Sequence, residues 1–65
     1  MHREVTIHLT PADLAKRWSV SVGHLANLRS MGTGPSYLKL GGRILYRALD
    51  IEGYEQRSLV TGDAA

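Results

Sequence analysis

The chain contains no cysteine, which excludes disulfides, thiolate zinc sites and cysteine nucleophiles and agrees with a reducing cytosol. It also lacks any long apolar run, and its N-terminus has no basic region followed by an apolar stretch and a small-residue cleavage site. Neither a membrane span nor a secretory leader is expected. Acidic side chains are scarce over most of the length. Residues 1–47 carry seven Lys/Arg against Glu4 and Asp13, a balance of +5, whereas residues 48–65 carry Arg57 against Asp50, Glu52, Glu55 and Asp63, a balance of −3. This asymmetry suits a polyanion-binding body with a separate acidic back, and the plainer reading is ordinary scatter of surface charge.

What is present is enough for one small folded domain. With 65 residues, 43% of them hydrophobic, a modest core is possible, but there is no room for a catalytic domain beside a binding domain. A domain this short buries only roughly 60% of its unfolded surface, so its stability is expected to be marginal.

The first structural signal is Leu9-Thr10-Pro11-Ala12-Asp13-Leu14. Thr10 is a good N-cap, Pro11 suits the first helical position, Asp13 faces the positive helix end, and Leu9 with Leu14 forms a hydrophobic staple. Leu14, Ala15 and Trp18 then share a stripe, which predicts a short helix over Pro11 to Trp18 with Trp18 in the core. The start signal recurs at Val20-Ser21-Val22-Gly23-His24-Leu25, with Ser21 as N-cap. In this second helix Val22, Leu25 and Leu28 are expected to face inward, with Gly23, Asn27 and Ser30 opposite and His24 and Ala26 on the flanks. An outer face this small and polar fits close approach to a groove; an under-charged solvated helix is the plainer account.

Met31-Gly32-Thr33-Gly34-Pro35 stops the second helix. A hairpin is expected next, turning at Gly41-Gly42. An odd-length turn would put Leu38, Leu40, Ile44 and Tyr46 on one face and Lys39, Arg43, Leu45 and Arg47 on the other. A last helix is read over Ala48 to Ser58, where Gly53 marks either close packing or a soft spot, and residues 59–65 read as a disordered tail after an N-terminal arm over residues 1–8. The expected fold class is α+β and mostly helical: a winged helix-turn-helix over residues 9–58, with a two-stranded hairpin wing and a C-terminal helix.

The run from Leu9 to Ala15, then Val20-Ser21 and Leu25, Gly34-Pro35, Tyr37 to Arg43 and Tyr46-Arg47 resembles the small excisionase-type winged helix-turn-helix family, which is related to MerR-type DNA-binding domains. The resemblance covers about residues 9–58. It implies DNA binding without catalysis, either as an excisionase (a recombination directionality factor of a phage or mobile element, partnered by an integrase) or as a small AlpA-like transcriptional regulator. Family members often carry Arg or Thr around Gly23, His24, Ala26 and Asn27, an aromatic at Leu28, and Trp or Phe at Tyr54. The departures leave base reading to Ser21, His24 and Asn27, since Asn pairs bidentately with adenine and His donates to guanine acceptors. Phosphate contacts are expected from Arg17, Arg29, Lys39 and Arg47, and minor-groove contact from Arg43 at the wing tip.

Leu45, sent outward among basic residues by that alternation, is the expected protein–protein contact for cooperative self-association along DNA. Its plainer role is to pack on the stem of Lys39 or the ring of Tyr37. His2, His8 and His24 show no metal-ligand spacing, and no phosphate loop or triad is legible. No metal, cofactor, small-molecule substrate or enzymatic activity is expected, and the location implied is the cytoplasm of a bacterial host, on DNA.

Overall fold

The computed structural model describes residues 7–62, and the remainder of the expected arm and tail lies outside the described residues. Six elements follow in chain order: β1 (His8–Leu9), α1 (Pro11–Trp18), α2 (Val22–Met31), β2 (Leu38–Leu40), β3 (Arg43–Arg47) and α3 (Ala48–Ser58). The fold is α+β, three helices with a three-stranded antiparallel sheet ordered β1-β3-β2.

Local chemistry sets the helix ends. The Thr10 hydroxyl accepts from the Asp13 backbone N–H at 3.1 Å, and the Thr10 N–H donates to the Asp13 carboxylate at 3.0 Å, a reciprocal capping box that starts α1. The Thr10 backbone N–H, and then its hydroxyl, hold the Asp13 carboxyl below its ordinary pKa. Ser19 ends α1 in the left-handed region (φ 58°), and the Val20 N–H returns to the Ala15 carbonyl at 2.9 Å. The Ser21 hydroxyl accepts from the His24 N–H at 3.0 Å to start α2, and Gly32 (φ 70°) closes it.

Each helix then contributes one fully buried aliphatic side chain: Leu14 from α1, Leu25 from α2 and Ile51 from α3. Tyr46 of β3 joins them with its ring wholly covered, and Leu9, Trp18, Val20, Leu28 and Ile44 pack around this centre. Burial of each such aliphatic contributes about 1.5–3 kcal/mol, so four side chains carry most of what a core this small provides.

Several expectations are corrected here. The sheet has three strands rather than two, because His8 pairs with Arg47 and Leu9 with Tyr46, while the Ala48 N–H donates to the Ile7 carbonyl at 2.9 Å. The expected arm therefore ends in a strand that covers one edge of β3. The hairpin pairs Leu38 with Leu45, Lys39 with Ile44 and Leu40 with Arg43, so only Gly41 and Gly42 make the turn, both at positive φ (55° and 87°). A two-residue turn places directly opposed residues on one face. Leu38, Leu40, Arg43, Leu45 and Arg47 accordingly share the outer face, and Lys39 falls on the face of Ile44 and Tyr46. Val22, expected inward, is 47% exposed, since it is the first residue of α2 and lies beyond the core. Trp18 is half-buried at the core's rim instead of inside it.

Candidate nucleic-acid interface

The outer surface of α2 bears Gly23, His24, Asn27 and Ser30, all exposed. Its inner surface is Leu25, with Ala26, Leu28 and Arg29 half-buried beside it. Of the residues expected to read bases, Asn27 offers its amide to solvent, while Ser21 and His24 sit together at the helix start, joined by the cap. The capping bond uses an acceptor site of the Ser21 hydroxyl and leaves its hydrogen to donate. His24 also borders an open groove of about 570 Å³ whose walls include Trp18, Leu28, Tyr54, Leu59 and Val60.

Arg29 ties this helix to the sheet. One of its terminal nitrogens donates to the Tyr46 hydroxyl at 2.6 Å, and the guanidinium lies 5.8 Å from the centre of the Tyr37 ring, which meets Tyr46 edge-on at 6.3 Å. A buried tyrosine needs a partner for its hydroxyl, and this one is supplied by a cation that also needs a fixed position. Arg29 is thus held in one orientation, half-buried, with charge that no carboxylate cancels among the described residues.

Two other arginines are differently placed. Arg17 makes two bonds of 2.7 Å to Glu55, whose second oxygen also accepts the Trp18 indole N–H at 2.7 Å. Trp18 stacks on Tyr54 at 5.5 Å, so α1 and α3 are joined by a charged clamp over an aromatic pair. The Arg17 guanidinium, and then the Trp18 N–H, hold the Glu55 carboxyl down to about 2. Arg47 forms a fork with Asp50 at 2.6 and 3.2 Å. The acidic C-terminal helix is therefore no separate back: it folds onto the basic body and neutralises two of the four cations expected to meet phosphate.

Comparison with protein-family models, with curated proteins and with solved structures found no match. The site stands on its own chemistry. Between Asp13 and Asp50 the chain has no acidic residue, and of the three α3 carboxylates Glu55 reaches Arg17 and Asp50 reaches Arg47. Arg29, Lys39 and Arg43, and Lys16 on α1, have no carboxylate within salt-bridge distance among the described residues. Lys39 and Arg43 flank the Gly41-Gly42 turn on opposite faces of the hairpin.

Leu45 is half-buried opposite Leu38 and so packs on neither Lys39 nor Tyr37, which belong to the other face. The exposed outer-face apolar residue is Leu40, 54% accessible beside Arg43, and sequence reasoning passed over it. The Gly-Gly pair was the available signal: read as a complete two-residue turn, it makes Leu40 and Arg43 direct partners. Glu55 had no such signal, since its bond to Arg17 spans 38 residues. Among the described residues no helix is long and apolar enough to cross a membrane.

Proposed function

We propose that the chain is a winged helix-turn-helix module that binds duplex DNA, with the outer face of α2 in the major groove and the hairpin as the wing. The observation that carries this reading is the acid-free stretch between Asp13 and Asp50, in which a small polar helix surface occurs with three unmatched cations of α2 and the hairpin, Arg29, Lys39 and Arg43. A polyanion is the ligand such a surface favours, and a helix face without long side chains lets the backbone come close to base edges. The order of two helices, a three-residue turn and a hairpin adds to this, because it is the arrangement that presents a second helix and a wing to adjacent grooves.

Within that class we assign an excisionase role, the first of the two roles that the resemblance over Leu9 to Arg47 implies. The protein binds or bends DNA beside an attachment site so that a separate integrase assembles the excisive complex. The test is a recombination assay with a phage-type integrase and a substrate holding both attachment sites, run with and without the chain. Product that forms only when the chain is added supports the assignment. No effect on excision, combined with a changed output from a nearby promoter when integrase is absent, would assign it as an AlpA-like regulator instead.

A further inference from the structure

We infer that Leu40 is a wedge: at the tip of the hairpin it inserts into a base step from the minor groove, while Arg43 beside it occupies the groove, so that binding kinks the duplex. The inference rests on the DNA-binding reading above and adds a mechanism that reading does not contain. Four observations carry it. The register pairs Leu40 with Arg43, so the two side chains project from the same face at the very end of the hairpin. Between them stand only Gly41 and Gly42, and a Cβ at either position would find nothing within 4 Å, so the leading edge of the hairpin is bare backbone. The minor groove is roughly 6 Å wide and admits side chains more readily than strands; with a bare turn, Leu40 and Arg43 are the first groups to reach it.

The third observation is electrostatic. Arg17 and Arg47 are held by carboxylates, but Arg43, beside Leu40 on the same face, and Lys39, its sequence neighbour on the opposite face of the same hairpin, have no carboxylate within salt-bridge distance among the described residues. The surroundings of this leucine are positive and complementary to phosphate. The fourth is the exposure itself. β2 is an edge strand, where exposed aliphatic residues invite aggregation and charged residues are the usual protection. Leu40 is 54% exposed there, whereas Leu38 and Leu45 on the same face are half-buried opposite each other. Minor-groove proteins use apolar side chains in this way, unstacking one step and bending the duplex by roughly 20–90° toward the major groove. Pyrimidine–purine steps such as TA unstack most readily, and they are the expected site of insertion.

The experiment uses the full chain and a duplex of about 30 base pairs rich in TA steps, the size at which a bend is resolved, carrying 2-aminopurine at successive steps and a donor–acceptor pair at its ends. Binding is followed separately by anisotropy. For the unaltered chain at saturation, 2-aminopurine emission is expected to rise several-fold at one step and the end-to-end distance to shorten. Leu40→Ala should bind with less than about a tenfold loss yet leave emission at the level of free DNA, and Leu40→Met should restore the rise, since an unbranched apolar side chain can still insert. Arg43→Ala should weaken binding while keeping the emission change once saturated. An equal rise with Leu40→Ala, or tight binding by the unaltered chain with no unstacking at any step, overturns the wedge and leaves DNA binding standing. If the unaltered chain self-associates in sedimentation without DNA and Leu40→Ala does not, the leucine face is a contact between copies and the wedge is likewise overturned. Anisotropy that shows no binding to any duplex overturns the DNA-binding reading and the wedge together.

Discussion

Glu55 shows how one side chain acquires a structural role from its neighbours. It accepts from Arg17 and Trp18, and its carboxyl is held at about 2 against an ordinary 4.5. A carboxyl depressed on folding contributes stability that is complete above its unfolded pKa and is lost as pH falls through the folded one. The window here runs from about 4.5 down to about 2. Thermal melts of Glu55→Gln across that window should show a visibly flatter loss of Tm than the unaltered chain; parallel curves would mean that other carboxyls set the acid limit. Two glycines behave oppositely at the same scale. An alanine Cβ at Gly34 would lie 2.9 Å from the Leu28 Cβ, a backbone-anchored atom, so Gly34→Ala should destabilise by about 1–3 kcal/mol. At Gly53 the nearest atom is the Arg57 guanidinium end at 3.4 Å, which can swing away. Gly53 is therefore a soft spot in α3 rather than a close contact, and Gly53→Ala should raise stability by up to about 1 kcal/mol in chemical denaturation.

At the scale of elements, α2 and the hairpin have different tasks in the proposed complex, and substitutions separate them. Asn27 is exposed on α2 and its amide is free to pair with a base edge. Asn27→Ala should cost about 1–3 kcal/mol on a selected site and relax preference at one base position, measured by binding across a set of singly altered duplexes. Arg43→Ala should lower affinity for all of them alike, apart from a larger effect where A·T-rich sequence narrows the minor groove. The reverse pattern would place the reading element on the hairpin. Arg29 belongs to both elements, since it sits on α2 and donates to Tyr46 of β3, so its replacement disturbs helix, strand and charge together and cannot separate them.

At the scale of the whole molecule, the folding of α3 onto the body changes the electrostatic expectation. Arg17 and Arg47 are matched by Glu55 and Asp50, and on α2 and the hairpin, the elements proposed to face DNA, this leaves Arg29, Lys39 and Arg43 as the main contributors to counterion release. Three neutralised phosphates give a log–log salt slope of about −3 on duplex DNA, shallower than four unpaired cations would produce. Glu55→Gln should steepen it by releasing Arg17, a change visible in anisotropy titrations at several salt concentrations. A slope near zero would rule out phosphate contact as the source of affinity.

The helix ends were legible from the sequence because each depends on residues three or four positions apart. Thr10 with Asp13, Ser21 with the His24 N–H, and Gly32 after Met31 need nothing from the rest of the chain. The α+β class and the hairpin position were legible for the same reason, with the turn residues adjacent to one another. Strand facing was not, because a one-residue error in turn length moves every side chain of one strand to the other face; it took the pairing of Leu38 with Leu45 to show which leucines are outside. The strand at His8–Leu9 and the clamp of Arg17 on Glu55 depended on partners 37 to 39 residues away. Such contacts exist only once the core of Leu14, Leu25, Tyr46 and Ile51 has brought β1 and α1 against β3 and α3, so tertiary structure alone decided which cations remain unmatched.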